Sequence, residues 1–266
     1  MGFWEVFKNL RTIFRQIGDC KKDIQDWQPD VIVLIDYAGF NLRIARFAKA
    51  HGMKTFFYIA PKVWAWKEGR VQLIKEYIDR LFIIFPFEKA YFRKHGIEAV
   101  YCGNPLMDAI AARRVACETK EEFAAANGLD ERPIIALLAG SRRQEIDSNF
   151  PFMVSLSSRF PDYQFVVAGV SWLDKNVYER YLTGSNVRYV CDRTYELLTH
   201  SAAAVVTSGT ATLETALLGV PEFVCYRTSS LSYAIAKRFA KVKYISLVNL
   251  ILNREAVREL IQQDMT

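Results

Sequence analysis

Three histidines, His51, His95 and His200, are all that the 266 residues contain, and they lie too far apart to form a metal-ligand cluster. The five cysteines, Cys20, Cys102, Cys117, Cys191 and Cys225, are odd in number and never spaced C-x-x-C. That excludes a zinc ribbon and a disulfide framework and fits reduced thiols in a cytoplasmic protein. No apolar run reaches the length of a membrane span. Glu5, Lys8, Arg11 and Arg15 interrupt the N-terminus before a signal-peptide core could form. The expectation is a soluble or peripheral protein. There is no fixed-period repeat, no low-complexity tract, no arginine-rich arm and no RNA-binding signature. The net charge of +6 therefore directs attention to nucleotide phosphates or anionic lipid, and no nucleic acid is expected as a partner.

What is present is a large apolar share, 51%, with 24% charged residues, enough to build a sizeable core and to exclude disorder. Residues 3–17 carry Phe3, Val6, Phe7, Leu10, Ile13, Phe14 and Ile17 at helical spacing, with Lys8, Arg11 and Arg15 elsewhere on the wheel. The continuous run VIVLID (31–36) reads as a strand buried on both faces of a parallel sheet. Helix 41–51, strand 54–60, helix 69–78, strand 80–85, helix 87–95 and strand 99–102 follow. After GNP (103–105), residues 109–130 read as connecting helices that stop at Asn127-Gly128.

The alternation then restarts. Strands are expected at 133–140, 163–169, 186–190, 202–209 and 221–226. Helices are expected from about 145 and near 174–182, 194–200, 211–218, 231–240 and 254–263. Strand–helix alternation predicts an α/β protein of two consecutive Rossmann-like domains with parallel sheets. Its parts would be an N-terminal domain at 1–108, a connector at 109–130, a second domain at 131–246 and a closing segment at 247–266.

Ligands of open parallel sheets sit beyond the carboxyl ends of strands, and four such ends carry suggestive residues. Asp36 ends the first strand and reads either as a general base or as a helix N-cap. In AGSRRQE (139–145), the strand ends at Gly140-Ser141 just before a helix. Free N–H groups, the helix dipole and the Arg142 and Arg143 guanidinium groups make an anion site, or an ordinary capped turn with surface arginines. Glu145 fits a simple N-terminal helix charge. TSGTATLET (207–215) repeats the arrangement with Ser208, Gly209 and Thr210. Glu214 is placed there to accept hydrogen bonds from ribose hydroxyls, or to close a loose capping box with Thr210. Finally, YIAPKVWAWKEGR (58–70) puts Trp64 and Trp66 in a strand-to-helix loop, to stack on a sugar, to face lipid or to plug the loop.

Taken in order, Asp36, PKVWAW (61–66), FPFE (85–88), GNPLMD (103–108), AGSR (139–142), SGTATLE (208–214) and VKYISLVNLILNRE (242–255) make the chain resemble the lipid-A-disaccharide synthase family over nearly its whole length. The tryptophan motif and YISLVNL are the most specific parts. The resemblance implies a GT-B-type architecture, two Rossmann-like domains with a cleft between them. It implies transfer of 2,3-diacylglucosamine from UDP-2,3-diacylglucosamine to 2,3-diacylglucosamine 1-phosphate (lipid X), in lipid A and lipopolysaccharide biosynthesis. No metal or organic cofactor is implied.

The implied place is the cytoplasmic side of the inner membrane surface, as a peripheral protein, with Phe3, Phe7, Trp64 and Trp66 facing membrane or lipid substrate; a homodimer is left open. The resemblance also carries over roles. Asp36 matches the base and Arg142 the essential arginine. Gly140, Ser141, Ser208, Gly209, Thr210 and Glu214 belong to the nucleotide-binding turns. Asn249 matches an asparagine important for activity. Residues 247–266 would return toward the N-terminal domain. Three positions depart from the family pattern. Ala139 and Val248 stand where proline is frequent, and Gly39 stands where a second acid is frequent. MGFWEV matches a point inside the family's length, after its glycine-rich loop, so an incomplete N-terminal domain is expected. The alternatives are another GT-B UDP-sugar enzyme, such as the N-acetylglucosamine transferase of peptidoglycan synthesis or a UDP-sugar 2-epimerase, or a truncated inactive remnant that binds UDP or membrane.

Overall fold

The structure, a computed structural model, describes residues 10–65, 67–114, 118–229, 233 and 243–265. The chain divides into two compact units between Asn104 and Pro105. The first contains α1 (Leu10–Trp27), β1 (Val31–Ile35), α2 (Ala38–Ala50), β2 (Lys54–Tyr58), α3 (Arg70–Tyr77), β3 (Arg80–Ile83), α4 (Pro86–Lys94) and β4 (Ala99–Tyr101). Its four strands are parallel in the order β1-β2-β3-β4.

The register explains the core of this unit. Leu34 pairs with Phe57, Phe57 with Leu81, and Leu81 with Ala99. These four buried side chains form one row across the sheet, clustered with Leu42, Ile44 and Ala45 of α2 and Ile74 of α3. Alternation sends Val33 and Ile35 to the opposite face, where they are 57% and 58% exposed. The expectation that VIVLID is buried on both faces is thus corrected. Among the described residues β1 stands at the edge of its sheet, and only Leu34 of its apolar run is buried.

The second unit contains α5 (Pro105–Arg114), α6 (Lys120–Asn127), β5 (Ile134–Leu138), α7 (Arg143–Ser155), β6 (Gln164–Gly169), α8 (Asn176–Leu182), β7 (Arg188–Cys191), α9 (Thr194–Thr199), β8 (Ser201–Thr207), α10 (Thr210–Leu217), β9 (Glu222–Tyr226), α11 (Leu247–Leu252) and β10 (Arg258–Ile261). The connecting helix α6 has a complete capping box. Thr119 Oγ1 accepts from the Glu122 N–H at 3.2 Å, and the Glu122 carboxylate accepts from the Thr119 N–H at 2.8 Å. It ends on Gly128 in the left-handed region, φ 61°.

The sheet order is β10-β9-β8-β5-β6-β7, all parallel. The chain runs outward from β5 through β6 to β7, then returns to the other side of β5 for β8, β9 and β10. This makes the β5/β8 junction a topological switch point, the place where an open α/β sheet receives its ligand. One expectation for the C-terminal segment is corrected here. Residues 254–263, patterned like a helix, instead supply β10, which pairs with β9, and a 3-10 turn at Gln262–Asp264. The described part of 247–266 contributes α11 and β10 to the second unit. Pairing and burial against the sheet override a modest local helix preference.

Glu222, at the start of β9, is 8% exposed, and neither carboxylate oxygen has a hydrogen-bond partner among the described residues. Burial pushes its carboxyl up to about 8, whereas the unfolded chain ionises near ~4.3. The neutral form is favoured in the folded state. Its contribution to stability is complete below the unfolded value and is lost as pH rises through about 8. Urea denaturation is expected to give a lower midpoint at about pH 9 than at about pH 5. Glu222→Gln should remove most of that difference, and an unchanged pH dependence in the variant would refute the assignment.

Candidate nucleotide and acceptor sites

In the first unit the chain leaves β1 through two consecutive left-handed residues, Asp36 at φ 47° and Tyr37 at φ 38°. Both are costly for residues with a Cβ, and the surroundings hold them. The Asp36 N–H donates to the Tyr58 carbonyl at 3.0 Å, carrying the parallel pairing one step past β1. The Asn41 Nδ2 donates to the carbonyls of Ile35 and Asp36, at 2.9 and 2.7 Å. The cap position of α2 is taken by Tyr37, so the capping reading of Asp36 is not realised. Its side chain is exposed at the carboxyl end of the strand.

The tryptophan loop behaves differently from the stacking expectation. The Trp64 indole N–H donates to Glu88 Oε1 at 3.0 Å, and its ring meets Phe87 edge-on at 4.9 Å. Glu88 is 1% exposed and also accepts from the Phe85 N–H at 3.1 Å. Burial pushes the Glu88 carboxyl up, while the bonds from Trp64 and the backbone pull it back down. Trp64 thus braces the loop onto α4, the plug reading. Trp66, Phe3 and Phe7 lie outside the described residues.

In the second unit both suspected anion turns stand at the switch point. After β5, Gly140 takes φ 109°, and a Cβ there would lie 2.7 Å from Glu145 Cβ. Only glycine meets both conditions. Ser141 and Arg142 are exposed, and Arg142 occupies the cap position of α7. Glu145 closes the turn from within. Its Oε2 accepts from the Ser141 N–H at 3.1 Å and its Oε1 from Arg142 Nη1 at 2.8 Å. It does more than supply charge at a helix start.

Beyond β8, the Ser208 N–H donates to the Cys225 carbonyl at 2.9 Å, and its hydroxyl donates to the Ile245 carbonyl at 2.9 Å. Its proton is therefore committed, and toward a ligand this hydroxyl can only accept. Gly209 caps α10 with no side-chain bond and Thr210 is exposed. The Thr212 N–H is already donated to the Gly209 carbonyl at 3.3 Å, which leaves the N–H groups of Thr210 and Ala211 as the ones a helix start offers to a ligand. Glu214 forms no capping box with Thr210. Its Oε1 accepts from the Tyr195 hydroxyl at 2.6 Å. The Arg113 guanidinium lies 4.7 Å from the Tyr195 ring centre. Burial, then the Glu214 bond, pushes the Tyr195 phenol up, so it stays a donor and orients one oxygen of Glu214.

Asn249 requires a correction. It is fully buried, and its amide is engaged internally. Nδ2 donates to the Val257 carbonyl and to Glu259 Oε1, both at 2.8 Å. Oδ1 accepts from the N–H groups of Ala256 and Val257 at 2.7 and 3.0 Å. Every bond of the Asn249 amide goes to the segment just before and at the start of β10, the arrangement of a positioning residue. Glu259 in turn accepts from the N–H groups of Ile245 and Ser246, at 3.0 and 2.9 Å, which ties the network to Ser208.

Tyr195 and Asn41 escaped the reading of the sequence. Nothing in their local pattern signals a contact made 19 residues away on another helix, or a double bond to a strand end. Among the described residues no group of three or more His, Cys, Asp or Glu side chains is placed to hold a metal ion.

The family model for lipid-A-disaccharide synthetase matches residues 1–266. The chain belongs to that family. It is 38% identical to a lipid-A-disaccharide synthase of Syntrophus aciditrophicus over 98% of this chain and 70% of the relative. It is 36% identical to that of Geobacter sulfurreducens over 99% of this chain and 70% of the relative. Among solved structures it is similar to the UDP-GlcNAc 2-epimerase from Neisseria meningitidis bound to UDP-GlcNAc, with TM-score 0.62, 18% identity and coverage of 91% of this chain and 71% of that one. The Methanocaldococcus jannaschii UDP-GlcNAc 2-epimerase in complex with UDP-GlcNAc and UDP gives TM-score 0.59 at 15% identity, over 80% of this chain and 64% of that one. At such identities the likeness speaks for the fold alone, a GT-B-type α/β architecture. The assignment to the lipid-A-disaccharide synthetase family, with its glycosyltransferase chemistry, rests on the sequence matches.

Proposed function

We propose that this chain catalyses transfer of 2,3-diacylglucosamine from its UDP derivative to 2,3-diacylglucosamine 1-phosphate, giving the β-1,6-linked disaccharide 1-phosphate and UDP. The observation that carries the reading is the pair of anion-accepting turns on adjacent strands at the switch point, with Arg142 on one and Glu214 on the other. In this reading the diphosphate lies on the Gly140–Arg142 turn and the α10 N-terminus, and Glu214 accepts from ribose hydroxyls. Asp36 takes the proton of the acceptor hydroxyl. The hydroxyl oxygen bonds to the anomeric carbon as the bond from that carbon to the diphosphate oxygen breaks, with inversion. The transition state is oxocarbenium-like. Charge that develops on departing UDP is met by Arg142 and the oriented N–H groups.

Two measurements test this reading. UDP release should require both lipid substrates. In calorimetry on the whole chain, UDP should bind, and Arg142→Ala and Glu214→Ala should each weaken it by roughly 10-fold or more. No binding at millimolar UDP would refute the nucleotide site. Binding without turnover would favour the inactive-remnant alternative. The epimerase alternative is supported by likeness of fold only.

The same reading takes the protein to a membrane surface, because its substrates carry acyl chains. No helix among the described residues is long and apolar enough to cross a membrane. On α1, Ile17 is buried in the first core, whereas Phe14 is 57% exposed beside exposed Arg11 and Arg15. That outer face suits a helix lying at an anionic interface. Each basic residue should contribute about 1 kcal/mol. Binding to anionic vesicles should weaken with salt and weaken further when Lys8, Arg11 and Arg15 are changed together to Glu. Equal flotation of variant and parent would rule this helix out as the anchor.

A further inference from the structure

Most large apolar side chains left exposed on the second unit lie away from the carboxyl ends of its strands. Phe160, Tyr163 and Phe223 line an apolar cavity of about 510 Å³ with the strand starts Ile135, Ala202 and Ala203. Trp172 is different. It follows β6 by three residues and is 68% exposed. Its loop is braced on both sides. The Trp172 indole N–H donates to the Ser141 carbonyl at 3.4 Å, in the turn after β5. The Ser171 N–H donates to Asp192 Oδ1 at 3.0 Å, in the turn after β7. Asp192 itself donates its N–H to the Gly169 carbonyl at 3.0 Å. Three residues beyond Asp192, Tyr195 holds Glu214. A large indole is thus fixed in water between the diphosphate turn and the loop that leads to the ribose-binding carboxylate. A ring that keeps 68% of its surface in water contributes little burial to the fold.

We propose that Trp172 is the stacking platform for the nucleobase of the bound nucleotide. This inference rests on the nucleotide reading above. With the diphosphate on the Gly140–Arg142 turn and the ribose at Glu214, the base is carried one ribose beyond the α-phosphate, toward the β6 and β7 loops. A planar π face meets a planar base there without needing any particular hydrogen-bond pattern. The N–H bond to Ser141 sets the plane of the indole before the ligand arrives, so little side-chain entropy is lost on binding.

Titrations of the whole chain with UDP and with inorganic pyrophosphate test this. Trp172→Ala should weaken UDP by roughly 10-fold or more, and Trp172→Phe should stay within about 3-fold of the parent, because a ring face remains. Pyrophosphate, which has no base, should bind parent and both variants alike. UDP, but not pyrophosphate, should quench the parent's tryptophan fluorescence, and the quenching should vanish in Trp172→Phe although four of the five tryptophans remain. Unchanged UDP affinity in Trp172→Ala would overturn the stacking role while leaving the nucleotide site intact. Equal losses for UDP and pyrophosphate would show that Trp172 acts only through Ser141. A parent that binds no UDP would overturn the nucleotide reading and the stacking with it.

Discussion

Asp36→Asn is expected to lower turnover by a factor on the order of 100 or more, with little change in stability. The substitution keeps the shape of the side chain and removes its ability to take a proton. The features that hold the turn belong to the backbone: the Asp36 N–H to the Tyr58 carbonyl, and the Asn41 amide to the carbonyls of Ile35 and Asp36. Asparagine also tolerates the left-handed conformation that position 36 requires. The loss should therefore fall on kcat rather than KM, as for an interaction made only in the transition state. UDP affinity should match the parent's, since the groups proposed to bind the nucleotide belong to the second unit. Near-normal turnover would remove Asp36 from the base role.

Asn249→Ala is expected to destabilise the second unit by on the order of 3 kcal/mol. The truncation removes the fully buried amide that pairs with the N–H groups of Ala256 and Val257 and with the Val257 carbonyl, and leaves Glu259 Oε1 with the Ser246 N–H alone. Each orphaned buried group costs about 1–3 kcal/mol, partly relieved by local relaxation. Because Glu259 holds the N–H groups of Ile245 and Ser246, and the Ile245 carbonyl accepts from Ser208, the damage should spread to the α10 turn. Thermal denaturation should show the loss, and UDP affinity should fall with it. A residue that acted on substrate alone would leave the melting temperature untouched, and that outcome would refute the positioning role.

The contrast between these residues shows how far local pattern reaches. Asp36 was legible because a carboxylate directly after a continuous apolar run has few places to be, and the end of a parallel strand is one of them. Gly140 was legible because a strand-to-helix turn that needs φ 109° against Glu145 admits only glycine. Asn249 was legible only as a match of motifs, and its local pattern could not tell substrate contact from burial. Trp64 was visible as an unusual aromatic, but its partner Glu88 lies 24 residues away. No local rule pairs them.

From the sequence alone followed the α/β class, two successive sheets of parallel strands, and the strand ends proposed as sites. Those properties depend on periodicity, on turn residues and on apolar runs, which act over a few residues. Tertiary structure decided the rest. Strand order placed the turns after β5 and β8 side by side, an adjacency that 68 residues of intervening chain hide. Pairing with β9 turned RELI from a helical pattern into β10. Packing gave Tyr195 to Glu214 and Trp64 to Glu88. Each of these is a contact between distant segments. Its energy arises only when burial brings the partners together, and so it leaves no trace in local spacing.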